Sequence, residues 1–270
     1  MLRSLKDLES YKVSATDGEV GKTVDFLFDD QHFTTRYLIV DTSGFWEGEH
    51  KVLVSPISFR NVDWSTRLFH LSLSQAKLKD CPSVDLDKPV SRQYERQYSQ
   101  YYGWPYYWGA GDTWAWGTGA YPYQLAANQM KAEPAPIDHL KDDPHLRSAK
   151  EVIGYHVHGS DGNIGHIADF IIDDETWTIR YLVIDTSNWW FGKKVLVSPY
   201  WTKNISWTES LVYLDLTMDA IRNSPSWNPE SLVNREYEER LYDYYGRPAY
   251  WLRGPAVEAN KAKLFAQSRL

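Results

Sequence analysis

The chain repeats itself, and this repetition constrains its fold more than any single motif. Asp17-Gly-Glu-Val-Gly21 returns as Asp161-Gly-Asn-Ile-Gly165, and Asp29-Asp30 returns as Asp173-Asp174. Arg36-Tyr-Leu-Ile-Val-Asp-Thr-Ser43 matches Arg180-Tyr-Leu-Val-Ile-Asp-Thr-Ser187. After a one-residue deletion, Lys51-Val-Leu-Val-Ser-Pro56 matches Lys194-Val-Leu-Val-Ser-Pro199, and Trp64, Leu71 and Pro82 pair with Trp207, Leu214 and Pro225. The match then continues into a tail. Arg92-Gln-Tyr-Glu95 faces Arg235-Glu-Tyr-Glu238, Tyr101-Tyr-Gly103 faces Tyr244-Tyr-Gly246, and Tyr107-Trp108 recurs as Tyr250-Trp251. Two copies of one unit, each a module with its own tail, are therefore expected.

Within each copy the pattern is that of short strands. Asp17-Gly18 and Asp161-Gly162 sit between extended segments and have the chemistry of a tight hairpin turn with positive φ. Val24 to Asp29, Arg36 to Thr42, Lys51 to Ser55 and Leu68 to Leu73 read as strands, and many short strands with turn signals between them point to a small barrel or sandwich. A short helix is expected over Ser74 to Lys79, stopping ahead of Pro82. The tails read as helices, with Val90, Tyr94, Tyr98, Tyr101 and Tyr102 on one face and Val233, Tyr237, Leu241, Tyr244 and Tyr245 on its counterpart. Gly103 and Gly246, with Pro105 and Pro248 behind them, mark the helix ends. The expected divisions are repeat 1 (1–82), tail 1 (83–103), an aromatic, Gly- and Pro-rich linker (104–146), repeat 2 (147–225), tail 2 (226–251) and a flexible C-terminus (252–270).

The ordered motifs Asp-Gly-x-Val/Ile-Gly, an acidic pair, Arg-Tyr-Leu-x-Val/Ile-Asp-Thr and Lys-Val-Leu-Val-Ser-Pro resemble the PRC-barrel. That module occurs in the cytoplasmic part of the photosynthetic reaction-centre H subunit and in the C-terminal domain of the ribosome-maturation factor RimM. The resemblance covers roughly residues 5–80 and 149–224. It implies a mainly β fold, two PRC-barrel-like small β-barrels each followed by a short helical tail. It also implies use in protein–protein contact with no shared catalytic residues. Neither the H subunit's membrane helix nor RimM's N-terminal domain is expected in this chain, which resembles stand-alone bacterial PRC-barrel proteins.

Composition narrows the partners. A formal net charge of −7 and the absence of any basic run argue against a nucleic-acid backbone as ligand. No apolar stretch approaches the ~20 residues of a membrane helix. The first residues do not read as a signal peptide, and the lone Cys81 fits a reducing compartment, so a cytoplasmic protein is expected. With 13 Trp and 19 Tyr against 9 Phe, the rings suit half-buried surfaces and interfaces better than a dry core.

Several side chains invite a chemical reading. Asp29 with Arg36, and Asp173 with Arg180, flank a hairpin; they are read as cross-strand ion pairs in preference to an anion contact. Asp25, Asp29, Asp30 and Asp41 lack the spacing of a calcium loop and are read as solvated hairpin ends. His156, His158 and His166 could gather a zinc ion. The first copy has Lys12, Ser14 and Lys22 there, so a solvated strand face is preferred. No phosphate-binding glycine loop, nucleophile elbow or repeated Cys-His pair is present, so no catalytic residue, metal or cofactor is assigned. The candidate interaction surface is Arg36, Tyr37, Trp46, Trp104, Trp108, Trp114 and Trp116, with Arg180, Tyr181, Trp189 and Trp190. Both faces of Tyr37–Val40 and Tyr181–Ile184 are apolar, so the outer face needs a cover: the aromatic tail, the sister repeat or another chain. The expected role is a non-enzymatic scaffold or adaptor with an unidentified protein partner and a possible homo-oligomeric state. The alternatives are a small-ligand or carbohydrate binder using the Trp/Tyr linker and, more remotely, a metal-dependent enzyme.

Overall fold

One long strand organises each of two sheets. The computed structural model describes residues 1–46, 51–82, 90, 92–104, 146–187 and 192–252. The first half contains β1 (Leu2–Ser4), α1 (Leu5–Leu8), β2 (Lys12–Ala15), β3 (Gly18–Asp29), β4 (Thr34–Asp41), β5 (Lys51–Val54), β6 (Phe59–Asp63), β7 (Leu68–Leu71), α2 (Gln75–Lys79) and the tail helix α3 (Arg92–Tyr102). The second repeats the series with β8 (Leu146–Ser148), α4 (Ala149–Val152), β9 (His156–His158), β10 (Asn163–Asp173), β11 (Ile179–Asp185), β12 (Lys194–Val197), β13 (Thr202–Ser206), β14 (Leu211–Leu214), α5 (Met218–Arg222) and α6 (Arg235–Tyr245).

The chain is mainly β, with two seven-stranded sheets of the same order. One runs β5-β4-β3-β2-β7-β6 with β8 on β3; the other runs β12-β11-β10-β9-β14-β13 with β1 on β10. Neighbours are antiparallel except β2 with β7 and β9 with β14, which are parallel. The turn after Asp17 is where the sequence places it. Gly21 and Gly165, a few residues on, have φ of 154° and 156°. A Cβ there would lie 2.1 Å from the Asp41 carbonyl oxygen and 2.0 Å from that of Asp185, so only glycine lets β3 and β10 pass their neighbours this closely. The predicted short helix forms as α2, capped by Ser74, whose hydroxyl accepts from the Lys77 amide at 3.2 Å. No helix among the described residues is long and apolar enough to cross a membrane.

The two long strands outrun their neighbours. β10 pairs with β11 along one edge, but on the other edge β9 reaches only Asn163–His166. β1 takes the remainder, Ile171 to Asp173. In the same way β2 covers Gly18–Lys22 of β3, and β8 covers Leu27–Asp29. Without these three-residue straps, a row of backbone N–H and C=O groups would be left on an open edge.

The straps are exchanged. The described residues divide into two compact units, one holding Met1–Lys6 with those from Glu151 onward, the other holding those from Asp7 to Lys150. The first strand of each half thus completes the sheet of the other half. The sequence divisions assign residues 2–4 to the repeat that follows them; the pairing of Leu2, Arg3 and Ser4 with Asp173, Ile172 and Ile171 places them in the second sheet.

The outer apolar face of β4 is covered by both a tail and a strap. Tyr37, Ile39, Leu27 and Leu53 form a buried cluster with Val90 and Tyr98 of the tail and with Leu146 of β8, and Tyr102 and Trp104 pack against it. Burial of this apolar surface is the main stabilising contribution. The tail stripe needs one correction. Tyr94 and Tyr244 are exposed, whereas Glu95, Tyr98 and Ser99 are buried in α3, and Glu238, Leu241 and Tyr242 in α6. The inward face is therefore centred on a glutamate.

Candidate functional site

The straps are fastened by aspartates that the sequence pattern places in solvent. Asp25, Asp29 and Asp30 are buried instead. Asp25 follows an irregularity in the β3–β4 register between Thr23 and Asp25, and Asp169 follows the matching one between Ile167 and Asp169. Such a bulge re-aims the next side chain. The Asp25 carboxylate accepts from the Ser148 hydroxyl and from the Lys150 amide at 3.1 Å, so it caps the first turn of α4 from another segment of the chain. Asp169 does the same for α1, accepting from the Ser4 hydroxyl and from the Lys6 amide at 3.2 Å. Arg147 Nε lies 3.1 Å from Asp30, and Arg3 Nε lies 2.6 Å from Asp174. Each strap thus has a hydroxyl, an amide and a guanidinium taken up by two carboxylates. Burial raises the carboxyl pKa of Asp25 and Asp169 above the ordinary range, against the lowering effect of the hydrogen bonds they accept.

A second cluster closes the β3–β4 turn. Arg36 Nε donates to Asp29 at 2.7 Å, with both side chains 3% exposed. The expected ion pair forms, though Asp29 faces Thr34 across the ladder and Arg36 falls within a register shift. The other Asp29 oxygen accepts from the His32 amide at 2.6 Å and the Gln31 amide at 3.2 Å, and meets His32 Nδ1 at 3.1 Å. Burial alone would raise this carboxyl; the Arg36 guanidinium, with His32, holds it well below the usual carboxylate range. In the second unit Asp173 is 3.3 Å from Arg180 and accepts from the Thr176 hydroxyl at 3.0 Å.

The third cluster seats the tail. Glu238 of α6 is buried and accepts from the Tyr181 hydroxyl at 2.7 Å and the Tyr250 hydroxyl at 3.0 Å, with Arg235 at 3.1 Å. Arg180 lies over the Tyr250 ring at 4.2 Å, and Arg235 over the Trp251 ring at 3.9 Å. Burial raises the Glu238 pKa despite these donors. In the first unit the Tyr98 hydroxyl donates to the Pro82 carbonyl at 2.6 Å, with the Cys81 sulfur 3.7 Å away. Cys81 packs against the apolar cluster there.

Of the candidate surface residues, Arg36, Tyr37, Arg180 and Tyr181 are all buried. They hold turn and tail in place and present no outer surface. Trp104 stacks on Tyr102, with ring centroids 4.3 Å apart and planes 15° off parallel, and it approaches Tyr37 at 6.4 Å. Trp46 is half-buried beside the exposed Phe45. Trp108, Trp114, Trp116, Trp189 and Trp190 lie outside the described residues. His156 is exposed and paired in register with His166, while His158 packs near the Tyr213 ring at 5.9 Å. Sequence reasoning missed the strap clasp, although it had a signal. Leu2-Arg-Ser4 is identical to Leu146-Arg-Ser148, and Asp25 to Asp169, at the repeat spacing.

The PRC-barrel domain family model matches residues 144–216. No curated protein matches the chain.

Proposed function

We propose that this chain is a non-enzymatic scaffold for protein–protein contact and that its first repeat is a second module of the PRC-barrel kind. The observation that carries this reading is the use of the buried acidic and basic groups. Asp25, Asp29, Asp169 and Glu238, with Arg36, Arg147 and Arg180, engage straps, turns and tails. Perturbed carboxyls of this kind mark a reaction site only where they converge on a substrate-sized space; these bind one part of the fold to another. The PRC-barrel match supports an interaction module. Beyond the end of β4 the described surface offers an aromatic anchor, where Phe45 is exposed and Trp46 half-buried. Large rings of this type dominate binding energy at protein interfaces.

The test is affinity capture of the full chain from its host's lysate, beside Trp46→Ala, Trp190→Ala and a deletion of residues 104–123. A stoichiometric partner that is lost with one of these changes is the expected result. A lysate that yields no specific partner, together with tryptophan fluorescence that responds to sugars, would replace the scaffold with the ligand-binding reading.

A further inference from the structure

The exchanged straps are chemically interchangeable. Both read Leu-Arg-Ser, and both acceptor edges offer a buried aspartate for the serine, Asp25 or Asp169, and an acidic partner for the arginine, Asp30 or Asp174. Each edge also supplies three register positions: Leu27, Phe28 and Asp29 for β8, and Ile171, Ile172 and Asp173 for β1. A strap recognises its site by local backbone pairing and by these two side chains, with Leu146 of β8 also packing into the apolar cluster. Nothing in that recognition requires donor and acceptor to share one chain.

We propose that the strap-acceptor edge is an interaction site for a second copy of this chain, which inserts its own Leu2–Ser4 strand along β10 and receives one in return. Exchange of an identical element between copies is a low-cost route to a dimer, because the pairing given up inside each chain is remade between the two. Within one chain the strap is held at an effective concentration on the order of mM, so the single chain is the default, and the dimer gains at high concentration or when the in-chain pair is weakened. The site stands on different residues from the aromatic anchor of the scaffold, so neither proposal depends on the other.

A charge-reversal pair tests it. Arg3→Asp places an aspartate against Asp174, and Asp174→Arg places an arginine against Arg3, so each variant alone has a mismatched strap. Mixed, the strap of each fits the edge of the other. The two are produced with light and heavy isotopes, unfolded together, refolded and weighed by native mass spectrometry. A mixed dimer as the main species is expected, with neither variant dimeric alone and the in-chain double variant Arg3→Asp/Asp174→Arg monomeric. A mixture that stays monomeric while the double variant folds as wild type overturns the proposal. So do equal amounts of dimer in each variant alone, which would report association through another surface. Should the double variant fail to fold, light and heavy wild-type chains refolded together at about 1 mM decide the matter. Mixed wild-type dimers that Arg3→Asp does not form under the same conditions support exchange; monomers alone, or dimers that Arg3→Asp forms equally, refute it.

Discussion

At the scale of single residues, buried Asp29 has the opposite pH behaviour to buried Asp25 and Asp169. Asp29 is lowered by its guanidinium partner, so its contribution is complete above the unfolded carboxyl value of about 3.9 and is lost as pH falls through the lower folded value. Asp25 and Asp169 are raised by burial; their contribution is complete below the unfolded value and is lost as pH rises through the folded one. The Tm measured by calorimetry should therefore rise on mild acidification from pH 7 and fall again below about pH 4. Asp169→Asn should flatten the first limb. Asp169→Ala leaves the Ser4 hydroxyl and Lys6 amide without their acceptor and should cost about 1–3 kcal/mol, read as lost amide protection along Ile171–Asp173. Arg36→Ala leaves Asp29 buried without its guanidinium and should cost about 3–5 kcal/mol in denaturant unfolding, far more than an exposed pair.

At the scale of elements, the tail helices depend on a buried acid. Glu238→Gln keeps an acceptor for Tyr181 and removes a charge that burial disfavours, so thermal stability at pH 7 should change little. Glu238→Ala leaves the Tyr181 and Tyr250 hydroxyls unpaired and should release α6 at a cost of about 1–3 kcal/mol, seen as loss of near-ultraviolet aromatic ellipticity. The strands, the Asp17-Gly18 turn and the short helix ahead of Pro82 were legible in the sequence, since each follows from a local rule: period two, turn chemistry, a helix that stops before proline. The tail's inward face was not. A helical-period reading counts rings as inward and acids as outward, and so it favours Tyr94 and Tyr244 over Glu95 and Glu238. The hydroxyls of Tyr181 and Tyr250 explain why Glu238 points in. The strap exchange was hidden for a different reason. Identical Leu-Arg-Ser segments satisfy either edge equally, so the residues cannot say which repeat they complete.

At the scale of the whole molecule, the exchange ties the two halves by hydrogen bonds as well as by the chain between them. Cutting the backbone once between residues 105 and 145 would leave β1 in the second sheet and β8 in the first. The nicked protein should elute from a sizing column at the mass of the intact chain, show two bands on a denaturing gel and separate only in denaturant. Weakening both clasps with Asp25→Ala and Asp169→Ala should let the pieces part under native conditions.

The same straps give the molecule an order of assembly during synthesis. Arg3 is made 171 residues before its partner Asp174, and Ser148 123 residues after the Asp25 it must reach. The first sheet therefore waits with an open edge while residues 105–145 are translated, and of the two straps β1 waits the longer. Pairings so distant in sequence slow folding, and at roughly 5–20 residues per second the wait lasts many seconds. For that interval the nascent chain exposes an unpaired strand edge, and it is then that chaperones, or a neighbouring nascent chain on the same message, have access to it.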